Sequence, residues 1–138
     1  MISTSEPIIK QLLLPSEPKS LLSLESWVNS LCDAYEISIE IYGNILISLS
    51  EAVNNAMSHG NGNVFEKNTI VVSSLDKKKL VFTITDQGNG FDFSQLPDPT
   101  SPENIERPQG RGIFLMNHLS DGVSFEEPGN KVEITFQL

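Results

Sequence analysis

The segment from about Ser38 to Ser58 has two opposed faces when its residues are placed on an α-helix at 100° per residue. With Glu51 at zero, its apolar side chains fall between about 120° and 240°. They are Tyr42, Ile45, Leu46, Leu49, Val53, Ala56 and Met57. Glu51, Asn55 and His59 lie on the opposite side, at positions i, i+4 and i+8. Such a helix must pack its apolar stripe against another layer, and it presents a carboxylate and an amide together on its polar side.

The polar side of this helix has two interpretations. Most polar helix faces are simply solvated. Alternatively, the pair suits phosphoryl transfer, because an Asn carbonyl can hold Mg²⁺ without adding charge while a carboxylate orients or deprotonates an attacking hydroxyl. Zinc binding at His59 is disfavoured because the only other histidine is His118 and no carboxylate pattern accompanies it. The helix alone does not decide between the two interpretations.

The remaining periodicities predict a single α+β domain over residues 1–138, a length that suits one hydrophobic core. Apolar spacing predicts further helices at 20–35 and 113–119. Apolar runs predict strands at 8–14, 69–73, 80–85, 123–127 and 132–137. With helices early and strands mostly late, we expect helices on one face of a mixed, mostly antiparallel sheet.

The connections are of two kinds. Residues 91–109 show no sustained period and contain four of the eight prolines. A loop of this length inside a compact domain is usually functional, and we interpret it as a flexible lid. Two short connections are predicted to be turns: a hairpin at 76–79, and the turn 127–130, where Pro128 and Gly129 occupy positions that a type II turn favours.

Composition and charge limit the partners. Nine basic and eighteen acidic residues give a net charge of -9, which opposes direct binding to nucleic acid. No apolar run approaches the ~18 residues that a membrane span needs. The first seven residues lack the basic start and apolar stretch of a secretion signal, so we expect a cytoplasmic protein. Cys32 is the single cysteine, which rules out an internal disulfide.

A first glycine-containing segment follows the strand at 80–85. Asp86 at the strand end can accept a hydrogen bond from the exocyclic amino group of adenine, whereas guanine would oppose it with a carbonyl lone pair. Gly88 and Gly90 let the backbone approach a ligand closely. Taken alone, the two glycines equally indicate an ordinary turn.

A second glycine-containing segment, Gly110, Arg111 and Gly112, is predicted to be a loop that opens the helix at 113–119. Glycines at a helix start leave N–H groups pointing outward at the positive end of the helix dipole, which favours phosphate binding. Arg111 adds charge there or serves as an ordinary solvated arginine. The three elements occur in the order and at the spacing that one nucleotide pocket needs.

These segments resemble the GHKL ATPase superfamily, which has the Bergerat ATP-binding fold. Residues 51–60, EAVNNAMSHG, are similar to its N box, and 86–91 and 110–116 resemble its two glycine boxes. The similarity covers nearly the whole chain and is greatest to the small bacterial anti-sigma-factor serine/threonine kinases. It implies a two-layer α/β sandwich with a flexible ATP lid at about 91–109.

The resemblance also implies roles for individual residues, with ATP and Mg²⁺ as cofactors. It makes Glu51 the general base, Asn55 the Mg²⁺ ligand and Asp86 the residue that recognises adenine. The other implied nucleotide contacts are Asn54, His59, Gly88, Gly90, Gly110, Arg111, Gly112 and Ile113.

Members of this family hold a sigma factor inactive and phosphorylate a serine on a small antagonist of the STAS type, commonly as dimers. The resemblance therefore implies these partners and a homodimer, for which Ile9, Leu13 and the outer side of the first helix offer an apolar surface. Two features depart from the family. Asn130 follows Gly129 where relatives often have threonine, and the lid lacks lysine, leaving Arg107 and Arg111 as its cations.

Two other functions remain as alternatives. A nucleotide-gated module would sequester a partner protein with little or no kinase activity. A sensor histidine kinase ATPase domain shares the same pocket, but it is disfavoured because no histidine occurs before Glu51.

Overall fold

A computed structural model of the chain describes residues 6–88, 108–126 and 129–138, with the backbone alone for 108–110. The described elements are β1 (Ile8–Pro15), α1 (Lys19–Ala34), α2 (Ile39–Asn55), a π-helical turn (Ala56–Gly60), β2 (Asn68–Asp76), β3 (Lys79–Thr85), α3 (Pro108–Leu119), β4 (Gly122–Glu126) and β5 (Lys131–Gln137). Within these ranges, no helix combines the length and apolar character that crossing a membrane requires.

The five strands form one sheet in the order β1-β2-β3-β5-β4. Every pairing among the described strands is antiparallel, so the sheet is more uniform than the mixed sheet expected from the sequence. The predicted lysine hairpin is confirmed, because Asp76 pairs with Lys79 and Lys77 adopts a φ of 59° in the tight turn.

The core lies between one face of the sheet and the helices. In β3, Leu80, Phe82 and Ile84 are buried while the residues between them are half-buried, as expected for a sheet covered on one side. Most of the apolar stripe of α2 and the turn after it is buried against this face, and Tyr42 and Leu46 pack at its margin. The predicted two-layer α+β sandwich is confirmed.

The end of α2 differs from the regular helix predicted to Ser58. The helix is α-helical to Asn55 and then widens, and the Asn61 N–H reaches back five residues to the carbonyl of Ala56 at 2.8 Å. His59 lies in this wider turn and lines the same cleft as Asn55. Single π-helical turns of this kind occur frequently at functional sites.

The start of α3 also differs from expectation. The helix begins at Pro108, so Gly110, Arg111 and Gly112 belong to its first turns and do not form a loop before it. Proline is well suited to this end of a helix, because its φ is already helical and the missing N–H would have no intrahelical partner. The helical period was obscured in the sequence by two glycines, which carry no apolar side chain to reveal it.

The predicted lid and the predicted turn at 127–130 fall largely outside the described residues. Of the predicted lid at 91–109, only 108 and 109 are described, and both belong to α3. Strand β4 is described as far as Glu126, and residues 127 and 128, which form the first half of the predicted turn, are likewise not described. Gly129 has a φ of 101°, and its N–H donates to the carbonyl of Glu126 at 2.7 Å. The predicted type II turn stays a prediction, because it depends on Pro128.

Phe82 connects α1 to the centre of the sheet, and its truncation tests this packing. Its ring contacts the edges of Trp27 and Phe136, with centroids 6.2 and 6.0 Å away. We expect Phe82→Ala to lower the free energy of unfolding, measured by urea denaturation, by about 3–5 kcal/mol. The neighbouring Val81→Ala, on the open face of the sheet, should cost less than about 1 kcal/mol. Equal losses in the two variants would contradict the one-sided core.

Candidate active site

One open cleft lies where the end of α2, α3 and the adjoining ends of β3, β4 and β5 meet. It contains about 590 Å³ of space not filled by protein atoms, open solvent at its mouth included. Its apolar walls are Ala52, Ala56, Ile84, Ile113, Met116, Phe125 and Val132. Its polar or glycine positions are Asn55, His59, Gly60, Asp86, Gly129, Asn130 and Lys131. A mostly apolar cleft with a few convergent polar groups is typical of a ligand site.

Asp86 supplies a carboxylate to this cleft directly after β3. Its backbone N–H donates to the carbonyl of Asn130 at 2.9 Å, and its own carbonyl accepts from Asn130 Nδ2 at 3.2 Å. The Gly88 N–H donates to Asp86 Oδ1 at 2.8 Å. Burial raises the pKa of Asp86, although the Gly88 hydrogen bond opposes this effect by stabilising the charged form. The carboxylate is thus held in a fixed turn and is poorly solvated.

Two glycines allow the end of the helix layer to approach this turn. A Cβ atom on Gly60 would overlap the carboxyl group of Asp86, and one on Gly88 would overlap the carbonyl oxygen of Gly60. A larger residue at Gly60 would therefore displace the Asp86 carboxyl group, and one at Gly88 would force the two backbone segments apart. The Asp86 turn and the end of the π-helical turn are in direct van der Waals contact because both positions lack side chains.

Glu51 and Asn55 meet α3 at Gly112. The Cβ position of Gly112 lies 3.2 Å from Asn55 Nδ2 and 3.6 Å from Glu51 Cβ. Glu51 and Asn55 are both half-buried, one helical turn apart on α2. Asn55 faces the cleft, whereas Glu51 is not among the described residues that line it. The close crossing of α2 and α3 brings the acid and the amide beside the first turns of α3.

Known proteins resemble this chain both in sequence and in fold. A sequence profile of the histidine kinase-like ATPase domain matches residues 14–136. The chain belongs to this family. Its fold is also similar to the histidine kinase domain from the Erythrobacter litoralis EL346 blue-light activated histidine kinase, with a TM-score of 0.55 over 95% of this chain and 67% of that one. Because the sequence identity is 16%, this second likeness concerns the fold alone.

The curated relatives that this domain resembles include proteins from Bacillus species. An anti-sigma F factor of Bacillus licheniformis is 33% identical over 97 residues, and a serine-protein kinase RsbW of Bacillus cereus is 32% identical over 83 residues. The first alignment spans 65% of both proteins, and the second spans 56% of this chain and 51% of its relative. A serine-protein kinase RsbW of Bacillus velezensis is 24% identical over 91% of this chain and 81% of that relative.

Most of the residues predicted from the sequence lie in or beside the cleft of this ATPase domain. Those that line it are Asn55, His59, Asp86 and Ile113. Gly88 supports the Asp86 turn, and Gly112 contacts Asn55 and Glu51.

The other predicted residues contribute less to the described cleft. Asn54 and Arg111 are exposed and do not belong to the described lining of the cleft. The Asn54 carbonyl accepts a hydrogen bond from Ser58 Oγ at 2.7 Å. Gly110 is described only as backbone of α3, and Gly90 lies outside the described residues.

Sequence reasoning missed two asparagines beside Asp86. Asn130 was noted only as a departure from the family, yet it lines the cleft and forms two hydrogen bonds with Asp86. Asn61 was not singled out, but it is buried and its Oδ1 accepts from the Gln87 N–H at 2.8 Å. No periodicity reveals a buried polar residue directly after Gly60, because its side-chain partners come from three separate parts of the chain, around residues 16, 68 and 87.

Asp86 should give stability a measurable pH dependence. Because burial raises its folded-state pKa above the ordinary value of 3.8, the folded chain keeps a proton that the unfolded chain has lost at pH values between the two. The free energy of unfolding therefore includes a contribution that decreases as pH rises through that window. We expect urea denaturation at a series of pH values to show this decrease in the wild type and in Asp76→Asn, which alters an exposed hairpin carboxylate. It should be absent from Asp86→Asn, and parallel curves for Asp86→Asn and wild type would contradict the perturbed titration.

Proposed function

We propose that this domain binds Mg-ATP in the cleft and transfers its terminal phosphate to a serine of a partner protein. The observation that carries the proposal is the poorly solvated Asp86 carboxylate, held between apolar walls at a point where Gly60 and Gly88 leave no space for side chains. A flat, apolar ring that carries an amino group fits such a cleft. One lone pair of the Asp86 carboxylate accepts the hydrogen bond from the Gly88 N–H. The carboxylate has further lone pairs that would accept a hydrogen bond from the amino group of adenine.

The opposite end of the cleft suits phosphates and a metal ion. Mg²⁺ keeps several waters and takes oxygens from phosphates, so it needs few protein ligands, and the side-chain oxygen of Asn55, which lines the cleft, would be one of them. When bound, Mg-ATP supplies the phosphoryl group and neutralises charge on the transferred phosphate. The first turns of α3, with Gly110, Arg111, Gly112 and Ile113, bring the positive end of a helix dipole to this region.

Glu51 is the proposed general base. It lies one helical turn before Asn55, and its carboxylate would accept the proton of the attacking serine hydroxyl. Gly112 keeps α3 close to both side chains, since a larger residue would crowd the Asn55 amide. The chain thus fixes the acid and the amide relative to each other before any ligand enters.

The regulatory role is proposed from the relatives. Two of their names describe an anti-sigma factor and a serine-protein kinase, so we propose that this chain binds a sigma factor and phosphorylates a STAS-type antagonist in the cytoplasm. The net charge of -9 fits an action on the transcription machinery through protein contacts without direct binding to nucleic acid.

Replacing Glu51 tests the chemistry. We expect Glu51→Gln to bind Mg-ATP with unchanged affinity but to phosphorylate the cognate STAS protein about 10²–10⁴-fold more slowly, because a positioned base is lost. Phosphoserine is measured by mass spectrometry and nucleotide affinity by calorimetry. The matched control is Glu40→Gln, the same change in the first turn of the same helix, which should transfer phosphate normally. Normal transfer by Glu51→Gln would exclude Glu51 as the base.

The position of Glu51 favours one alternative, a nucleotide-gated binding module with little kinase activity. Asn55 and Asp86 line the cleft, but Glu51 is not among the lining residues within the described ranges. Such a module would show ATP-dependent affinity for its partner and no phosphoserine in the wild type. Partner binding that is the same with and without ATP, together with no phosphorylation, would reject both functions.

We also propose a homodimer formed through β1. This strand is at one edge of the sheet, and Ile9 and Leu13, on the face away from the helices, are 64% and 54% exposed. An edge strand with exposed apolar side chains can pair with a second copy of itself. Two copies joined in this way would leave both clefts open, because the clefts lie beyond β3 in the sheet order.

A charged substitution on β1 tests the dimer. We expect Leu13→Lys to shift the mass measured by light scattering from dimer to monomer, because a buried lysine in the interface would be unpaired. The control Ile47→Lys changes an exposed apolar residue on α2 and should leave the dimer intact. A monomeric wild type at micromolar concentration would contradict the proposal.

A further inference from the structure

Asn61 is a buried side chain at the edge of the cleft with several hydrogen-bond partners. It is 1% exposed. Its Nδ2 donates to Ser16 Oγ at 3.2 Å, to the carbonyl of Asn68 at 3.1 Å and to Thr69 Oγ1 at 3.3 Å. Its Oδ1 accepts from the Gln87 N–H at 2.8 Å. Both ends of the amide are therefore engaged, which is what a polar group at this depth requires.

The surroundings allow only one orientation of this amide. If the Asn61 side chain were flipped, its oxygen would face the carbonyl oxygen of Asn68, and its NH₂ group would face the N–H of Gln87. Both contacts would be repulsive. The ends of β1 and β2 thus direct the amide oxygen at the backbone of the residue that follows Asp86.

The same asparagine is anchored to the helix side of the cleft. Its backbone N–H donates to the carbonyl of Ala56, which closes the π-helical turn, and Gly60 precedes it in the chain. Asn61 therefore links three parts: the wall of the cleft at Ala56, the ends of β1 and β2, and the turn after β3.

The turn that carries Asp86 is fixed from both sides. Asn130 binds the backbone N–H and the carbonyl of Asp86, whereas Asn61 binds the next N–H, that of Gln87. Gly88 closes the turn onto the Asp86 carboxylate. Since Gly60 is already in contact with Asp86, a small shift of Gln87 would move the carboxylate or force it against Gly60.

We propose that Asn61 is the positioning residue for base recognition: through its hydrogen bond to Gln87 it fixes the Asp86 carboxylate in the direction from which it accepts from adenine. This inference rests on the proposed nucleotide binding, and it names Asn61 as the residue on which selectivity for adenine depends. Asn61 contacts no ligand itself in this arrangement. Its effect is on the choice between purines, because the direction of the Asp86 carboxylate distinguishes an amino group from a carbonyl.

The test compares ADP with IDP, which carries a carbonyl where ADP has the amino group. Both dissociation constants are measured by calorimetry for the wild type and its variants. We expect Asn61→Ala to weaken the binding of ADP on the order of 10-fold or more and to change the binding of IDP little, because the lost hydrogen bond is the one that the amino group of adenine makes. The ratio of the two constants should therefore approach that of Asp86→Asn.

A second variant and a control separate positioning from stability. Val28→Ala shortens a fully buried side chain of α1 away from the turn, so it should lower thermal stability and leave the ADP/IDP ratio unchanged. If Asn61→Ala does not fold, Asn61→Ser takes its place with the same expectation, because its shorter side chain cannot reach Gln87.

The outcomes distinguish the two levels of the proposal. A wild type without preference for ADP, unaffected by Asp86→Asn, would overturn the proposed adenine site itself. The positioning role alone would be overturned if Asp86→Asn abolished the wild-type preference for ADP while Asn61→Ala and Asn61→Ser left it intact. Weaker binding of ADP and IDP by the same factor in the Asn61 variants would have the same meaning, because the ratio of the two dissociation constants would not change.

Discussion

The contact between the Asp86 carboxyl group and the α-carbon of Gly60 joins the two layers of this domain at its cleft. Asp86 ends the central part of the sheet, and Gly60 ends the helix that carries Glu51 and Asn55. The rest of the site depends on this contact, because it sets how far the sheet side of the cleft lies from the helix side. A poorly solvated carboxylate destabilises the folded chain when it is charged, and a ligand that donates a hydrogen bond to it recovers part of that loss.

The π-helical turn explains how Gly60 reaches this position. A regular α-helix through Ser58 would continue along the axis of α2, whereas the wider turn lets the chain leave the helix and place Gly60 and Asn61 under the end of β3. Hydrogen bonds that close this turn, such as Asn61 N–H to Ala56, are the same ones that fix the back of the cleft. The local distortion of the helix therefore contributes directly to the shape of the cleft.

The sequence predicts the elements of this fold because each has its own period. The stripe on α2 and the alternation in β3 are properties of neighbouring residues, and both are found nearly where they were expected. Glu51, Asn55 and Asp86 could be chosen because their residue types suit phosphoryl transfer and base recognition. The start of α3 could not be predicted, since its glycines conceal the helical period, and the role of Asn61 could not, since its partners at Ser16, Thr69 and Gln87 meet only after folding.

Asn130 shows why a departure from a family pattern has to be interpreted through its contacts. Seen as a sequence difference, it removes a hydroxyl from the cleft. In the structure its amide donates to the carbonyl of Asp86, while its backbone carbonyl accepts from the Asp86 N–H. The backbone carbonyl and the side-chain amide of Asn130 therefore continue the hydrogen bonding between β3 and β5 by one residue beyond the pair Thr85 and Lys131. An extended ladder holds Asp86 more rigidly than strand pairing to Thr85 alone would, because both of its backbone polar groups are then bound. The two hydrogen bonds with Asn130 thus hold the residue that follows β3 in a fixed position at the edge of the cleft.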